Sequence, residues 1–348
     1  MSAWNKPILP KLRPVLFPLA MLYWGILFWR NLFYVMGFFV SRKLPTKVIS
    51  VGNITTGGTG KTPAVIYLAK TLSNRGYRVG VLSRGYARKT AGTQLVSDGK
   101  TPVLDWRNFG DEPTLIANSL SGVPIVVDGN RHRGGMFLID RFKPDIVIMD
   151  DAFQHRAIER DIDIVLINSQ DSRSKHKLLP YGFLREPWTS LKRAHVLIFT
   201  KTNLKTPAPF LVSMARATKR PMIQSILSAH NLISPKGDAR QTKEGQKAIA
   251  LSAVGDPEGF IRTLESEGFN VVEHIAFIDH YEYVQADINR IAKRLNKTDA
   301  EVIITTEKDM VKLQGLNLSK LKIYSLRVAF SLSKNAEQKL LNIITGQC

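Results

Sequence analysis

The chain has 348 residues, 44% hydrophobic and 22% charged, which excludes disorder as its main state and predicts two globular domains. Its one cysteine, Cys348, excludes a disulfide framework and a cysteine-rich metal site. The net charge of +20 favours a polyanionic partner, whether nucleic acid, anionic lipid or a phosphorylated substrate.

The first predicted element is apolar. Residues 14–29 carry no charge, Arg30-Asn31 follows, and residues 32–40 are again uncharged. A span needs about 20 mostly apolar residues, so neither half suffices, and joining them sets an arginine near mid-bilayer. Tyr23, Trp24, Trp29 and Tyr34 favour the headgroup level. Lys6, Lys11 and Arg13 precede the segment; Arg42, Lys43 and Lys47 follow it. Two basic flanks favour a helix lying in an anionic interface over one that crosses it. No small-residue cleavage site follows, which argues against a signal peptide.

Short apolar runs then alternate with helical stretches. Lys47–Gly52 predicts a strand, a Gly-rich turn follows, and a helix runs from about Lys61 to Arg75. Further strands are predicted at Arg78–Leu82, Pro124–Val127, Asp145–Met149, Ile162–Ile167 and Val196–Phe199. This alternation predicts a mostly parallel sheet with helices on both faces. Beyond about Thr202 the chain turns polar and Pro-bearing, and the alternation resumes from Ala248. There it predicts strands at Ala248–Val254, Asn270–Ile278 and Glu301–Thr305, with helices from Pro257 and over Val284–Leu295. The fold class is α/β: a mostly parallel phosphate-loop nucleotide-binding domain behind an N-terminal membrane helix, with a smaller C-terminal α/β domain. The boundaries are 1–45, 46–205 and 206–348.

The turn after the first strand carries chemistry. Thr55, Gly57, Gly58, Thr59 and Gly60 lead into Lys61-Thr62 and a helix. Glycines let backbone N–H groups turn toward phosphate oxygens, Lys61 reaches the β- and γ-phosphates, and Thr62 offers a hydroxyl to Mg²⁺. The usual pattern has glycine where Thr55 stands. Asp150 and Asp151 end an apolar strand, where a carboxylate can hold the metal. A hydroxyl acceptor also needs a base, and Asp111, His155 and His280 are the candidates. Asp111 equally suits the N-cap of a helix over 112–120. Residue chemistry alone leaves three classes open: a phosphotransferase, a membrane-bound ATPase switch without a small-molecule acceptor, and a nucleic-acid ATPase. Against the last, the early basic charge surrounds a hydrophobic segment rather than an aromatic-and-basic groove.

The run SVGNITTGGTGKTP, then LSRGYARK, GDEP, DDAFQH, LLPYGFLREP, DHY and TTEKD, resembles the bacterial lipid A 4′-kinase family, tetraacyldisaccharide 4′-kinase. The motifs span residues 50 to about 312 in the family's order, and the family's loop also lacks the early glycine. The resemblance implies an ATP- and Mg²⁺-dependent kinase on the cytoplasmic face of the inner membrane. Its acceptor would be the 4′-hydroxyl of an acylated disaccharide 1-phosphate, its surroundings an anionic lipid surface, with no nucleic acid. By that resemblance Asp111 is the base, coupled to His280 across the domains. Lys61 and Thr62 serve nucleotide and metal beside Asp150 and Asp151. Arg84, Tyr86, Gln154, His155, Arg185 and Glu186 line the cleft. Ala152 stands in place of the family's glycine, and Tyr181 and Phe183 are bulkier than usual.

Overall fold

The structure is a computed structural model that describes residues 13–346; Lys6, Lys11 and Cys348 lie outside them. In chain order the N-terminal half holds α1 (Arg13–Val35), β1 (Lys47–Asn53), α2 (Lys61–Ser73), β2 (Val79–Ser83), β3 (Gln94–Ser97) and α3 (Trp106–Phe109). It continues with α4 (Asp111–Ser119), β4 (Ile125–Val127), α5 (Arg131–Phe142), β5 (Ile146–Asp150), β6 (Ile162–Asn168), β7 (Val196–Thr200) and α6 (Pro209–Arg216). Then come β8 (Met222–Ile233), β9 (Ala239–Arg240), β10 (Lys247–Ser252), α7 (Pro257–Ser266), β11 (Asn270–Ala276) and α8 (Gln285–Leu295). The chain closes with β12 (Val302–Thr306), α9 (Glu307–Leu313), β13 (Ile323–Leu332) and α10 (Lys334–Thr345).

The strands form one 13-stranded sheet in the order β11-β10-β12-β13-β8-β7-β6-β1-β5-β2-β4-β3, with β9 beside β8. It is mostly parallel, and every residue of β5, β6 and β7 is buried. Strands covered on both faces read as continuous apolar runs, which is why they are legible in the sequence. β8 pairs parallel with β7 through Met222–Gln224 and antiparallel with β13 through Ser225–Ile233, so it carries the sheet from one half to the other.

Helices cover both faces, as the alternation requires. One face of the N-terminal half buries Val65, Leu68 and Leu72 of α2 with Ile116 of α4. Leu340, Leu341 and Ile344 of α10 close the same cluster, so the last helix returns to the first half. α5 covers the opposite face through Leu138, against Leu44 and Met149.

The apolar N-terminal segment forms one 23-residue helix that runs through Arg30-Asn31 without a break. The reason is tertiary. Ala20 and Leu27 are buried, Tyr23 and Tyr34 turn inward, and Arg30 reaches the carboxylate of Glu186. Residues 20, 23, 27, 30, 31 and 34 fall on one helical face, and that face lies on the body. The charge therefore sits in a polar seam. Trp24 and Trp29, unlike the two tyrosines, are exposed, as are Leu22, Ile26 and Phe28. Pro14–Val35 is long and apolar enough to cross a membrane, by length and composition.

Candidate active site

The C-terminal ends of the parallel strands set the site. β1 runs into the loop at residues 54–60, and α2 starts at Lys61, capped by Gly60 with φ 83°. Gly57 is also left-handed, at φ 114°, a conformation costly for any residue with a Cβ. Asn53 braces the loop from within: its Nδ2 donates to Thr55 O at 2.7 Å and to Thr59 Oγ1 at 3.0 Å. Thr56 N donates to Phe183 O at 2.7 Å, and Arg185 N donates to Ile54 O at 2.7 Å. The phosphate loop and the LREP turn are thus one unit. Gly58 lies against Asp256 of the C-terminal half, where a Cβ would sit 3.1 Å from that of Asp256.

Lys61 Nζ is 3.4 Å from Asn53 Oδ1 and 3.7 Å from Asp151. Asp151 follows the last residue of β5 with φ 47°, and Arg185 donates to its two oxygens at 3.0 and 2.9 Å. Burial opposes its ionisation, but Lys61 and Arg185 hold its carboxyl at about 2. Asp150 is the reverse case. Burial, then the charges of Glu112 and Asp151, push its carboxyl up to about 7, against the pull of Lys61 and Arg131. A buried carboxyl facing two others is a site that favours a cation. Thr62, Asp150, Asp151 and Glu112 are oxygen donors of the kind Mg²⁺ takes beside phosphate oxygens and water. Among the described residues no group of three or more His, Cys, Asp or Glu forms a cage for a metal.

A second cluster, around Asp111, is built across the two halves. Gly110, not Asp111, caps α4; Asp111 is the helix's first residue. Its carboxylate faces His280, whose Nδ1 lies 3.0 and 3.2 Å from the two oxygens. His280 takes φ 61° in the loop after β11, under the ring of Tyr86 with centroids 4.9 Å apart. Lys308, in the first turn of α9, joins the pair. Its Nζ is 3.1 Å from Glu112, 3.4 Å from Asp279, 3.8 Å from Asp111 and 3.3 Å from His280 Nε2. Burial raises Asp111, yet Lys308, His280 and Lys312 together hold its carboxyl at about 2. Burial lowers Lys308, and Glu112, Asp111 and Asp279 outweigh it, keeping the ammonium well above the ordinary lysine range.

The remaining sequence candidates separate. Gln154 Nε2 donates to Asn53 O at 2.8 Å, behind the loop. Burial, with Arg131, Arg160 and Arg84, depresses His155 to about 4, so it is neutral at pH 7 and has no part in the Asp111 pair. Arg84 is exposed, and its charge reaches both Arg131 and His155. Glu186 is fully buried and engages Arg30 and Arg193 instead of the phosphate loop. Ala152 is tolerated because the left-handed residue is its neighbour Asp151. Tyr181 packs edge-on against Phe17 of α1, with ring centroids 6.0 Å apart. Sequence reasoning missed Glu112, Lys308, Arg131 and Asn53. Glu112 and Lys308 lie inside the quoted GDEP and TTEKD motifs, the only signal that pointed to them.

A profile of the family described as tetraacyldisaccharide-1-P 4′-kinase matches residues 12–345. The chain belongs to the tetraacyldisaccharide 4′-kinase family. The family's enzyme from Chlorobaculum tepidum is 39% identical over 299 residues, covering 85% of each chain. That of Aquifex aeolicus is 36% identical over 333 residues, covering 96% of this chain and 98% of the other. The crystal structure of the Aquifex aeolicus enzyme in complex with ATP superposes with a TM-score of 0.76 at 34% identity, covering 96% of this chain and 99% of that one. This chain is accordingly a kinase of lipid A biosynthesis, and the ATPase switch without an acceptor gives way to it. Family and exposed apolar helix together imply membrane association.

Proposed function

We propose that this kinase moves the γ-phosphoryl group of ATP to the 4′-hydroxyl of a tetraacylated disaccharide 1-phosphate at the cytoplasmic face of the inner membrane. The observation that carries this reading is the Asp111–His280 pair, 3.0 Å apart, next to Glu112, whose carboxyl feels the charge of Lys61 of the phosphate loop. Loop amides from Gly57 to Lys61 receive the phosphates, and Lys61 leaves Asn53 and Asp151 for the β- and γ-oxygens. Asp111 takes the 4′-hydroxyl proton as the oxygen–phosphorus bond forms and the bond to ADP breaks. His280 holds the carboxylate in one orientation and shares the proton. Mg²⁺, when bound by Thr62 and the Asp150–Asp151 pair, would neutralise charge on the phosphate oxygens.

We assign two bodies, 46–205 and 206–348, to this work. Asp111 and Glu112 come from one; His280 and Lys308 come from the other. Their meeting is a closure step that excludes water and so suppresses idle ATP hydrolysis. The test is labelled phosphate transfer from ATP to disaccharide 1-phosphate in neutral micelles. Labelled lipid from the wild type, falling about tenfold or more in His280→Ala, supports the assignment. ATP hydrolysis stimulated by liposomes, with no labelled lipid, overturns it, and full activity in His280→Ala removes that residue's role.

For α1 we propose seating in the plane of the interface. A helix whose one face is docked on the body has only the other to offer to lipid. Trp24→Glu with Trp29→Glu is expected to weaken binding to anionic vesicles by at least about tenfold, read by sedimentation. Both side chains are exposed, so the melting temperature stays within about 2 °C.

A further inference from the structure

Besides Lys308, the C-terminal half buries a second lysine. Lys312 lies one turn further along α9, and its side chain is fully buried. Its Nζ is 2.8 Å from Asp309 Oδ1, 3.4 Å from Ala253 O and 5.5 Å from the centre of the buried Tyr283 ring. Asp309 is buried to the same degree, and its Oδ2 accepts from Ala253 N at 3.0 Å and from Thr306 Oγ1 at 2.8 Å. The ion pair thus holds both polar groups of the Ala253 backbone. Taking two charges out of water costs about as much as their attraction returns, so a packed apolar pair would serve stability equally well. What an ion pair adds is direction, because charged hydrogen bonds tie each partner to one geometry.

Each segment that this ammonium touches runs on to the first half. Ala253 leads into Gly255 and Asp256. A Cβ on Gly255 would lie 3.1 Å from Asp279 Oδ2 and 3.2 Å from Gly57 Cα, so this loop is wedged between the neighbour of His280 and the phosphate loop. Asp256 then accepts from Lys201 Nζ at 2.9 Å, both side chains being buried. Tyr283 packs edge-on against Phe277 and Tyr281, with ring centroids 5.2 and 5.5 Å apart. Those two rings stack at 4.4 Å and bracket Ile278-Asp279-His280. α9 itself carries Lys308 to Asp111 and Glu112. One buried charge therefore joins the loop on the glycines, the loop of His280 and the helix of Lys308.

We propose that Lys312 is a positioning residue for phosphoryl transfer, which sets these three segments in the one arrangement that meets the phosphate loop and Asp111 together. This rests on the kinase reading above. The contacts of its Nζ are with Asp309, Ala253 and Tyr283, so it acts through them and not on the reacting atoms. Its field reaches further: against burial, its charge joins those of Lys308 and His280 in lowering the Asp111 carboxyl. Reacting groups must be held within a fraction of an ångström, and a displacement of about 1 Å costs up to about 100-fold in rate.

The experiment compares wild type, Lys312→Met, and Lys312→Met combined with Asp309→Asn, labelling tetraacylated disaccharide 1-phosphate from ATP in neutral micelles. The double variant removes one charge of each sign and keeps an oxygen for Ala253 N, which covers the case of a poorly folded single variant. In both variants kcat for transfer is expected to fall about tenfold or more, with KM for ATP within about threefold of wild type. ATP hydrolysed per lipid labelled is expected to rise at least about threefold, because the base cluster no longer meets a loop that still admits water. Hydrogen exchange should quicken at residues 253–256 and 278–281 and stay unchanged in β5, β6 and β7. A purely structural role lowers transfer and hydrolysis together, leaves their ratio intact and lets the double variant recover wild-type transfer, which overturns the proposal. So does exchange that quickens evenly along the chain. A wild type that labels no lipid overturns the kinase reading itself, a result distinguishable from the others.

Discussion

Asp111→Asn is expected to cut phosphate transfer to the lipid by at least about 100-fold while ATP affinity stays within about twofold. The amide keeps the size and the contact with Glu112 N, now 2.9 Å, but it cannot accept the hydroxyl proton. It also changes what His280 Nδ1 faces, from a carboxylate to a neutral group. The loss belongs in kcat, because the proton moves only as the phosphoryl group arrives. Single-turnover transfer with labelled ATP measures it. A variant that transfers at the wild-type rate would return the base to another group. The carboxyl of Asp111 is held at about 2, so its basic form is complete throughout the neutral range.

Lys308→Met is expected to lose at least about 100-fold in activity and roughly 2–4 kcal/mol in stability, because it strands charges that the ammonium joins. Three carboxylates, those of Asp111, Glu112 and Asp279, lie within 3.8 Å of Nζ, and the side chain is only 15% exposed. Its pH dependence carries the signature. In the wild type Asp111 lies below its free value of 3.8. Its contribution to stability is therefore present above that pH and is lost as pH falls toward 2. Wild-type stability from this group is flat between pH 5 and 8. Without the ammonium, burial and mutual repulsion raise the carboxyls of Asp111 and Glu112, and keeping them ionised costs more as pH rises. Urea unfolding at pH 5 and pH 8 should show the variant relatively more stable at pH 5. An identical deficit at both values would argue that Lys308 acts through packing alone.

Much of the architecture was readable before the structure. The strands around the phosphate loop are buried on both faces, so Ile146–Asp150 and Ile162–Asn168 announce themselves as apolar runs. The glycines of the loop, and the acids ending β5, follow from local chemistry. β8 and β13 did not: β8 alternates buried and exposed residues only over Ile223–Leu227, β13 shows no regular alternation, and both lie beside polar connections. Partners far apart in sequence were equally hidden. Lys308 and Glu112 are separated by 196 positions, and Arg30 and Glu186 by 156. A lysine opening a helix reads as solvated, and an arginine in an apolar run reads as a charge stranded near mid-bilayer. Only the fold supplies the carboxylate that reverses each reading.

The return of α10 to the first half has a consequence for the order of synthesis. α1 leaves the ribosome well before α10 and can meet the membrane at once, but the cluster beneath α2 lacks Leu340, Leu341 and Ile344 until α10 is made. Tyr67 and Arg75 of the early region likewise wait for Glu337. A nascent chain that has not yet supplied residues 334–345 therefore holds a phosphate loop on an unfinished core. Such fragments, left without a finished core, are expected to bind nucleotide poorly and to be open to proteolysis.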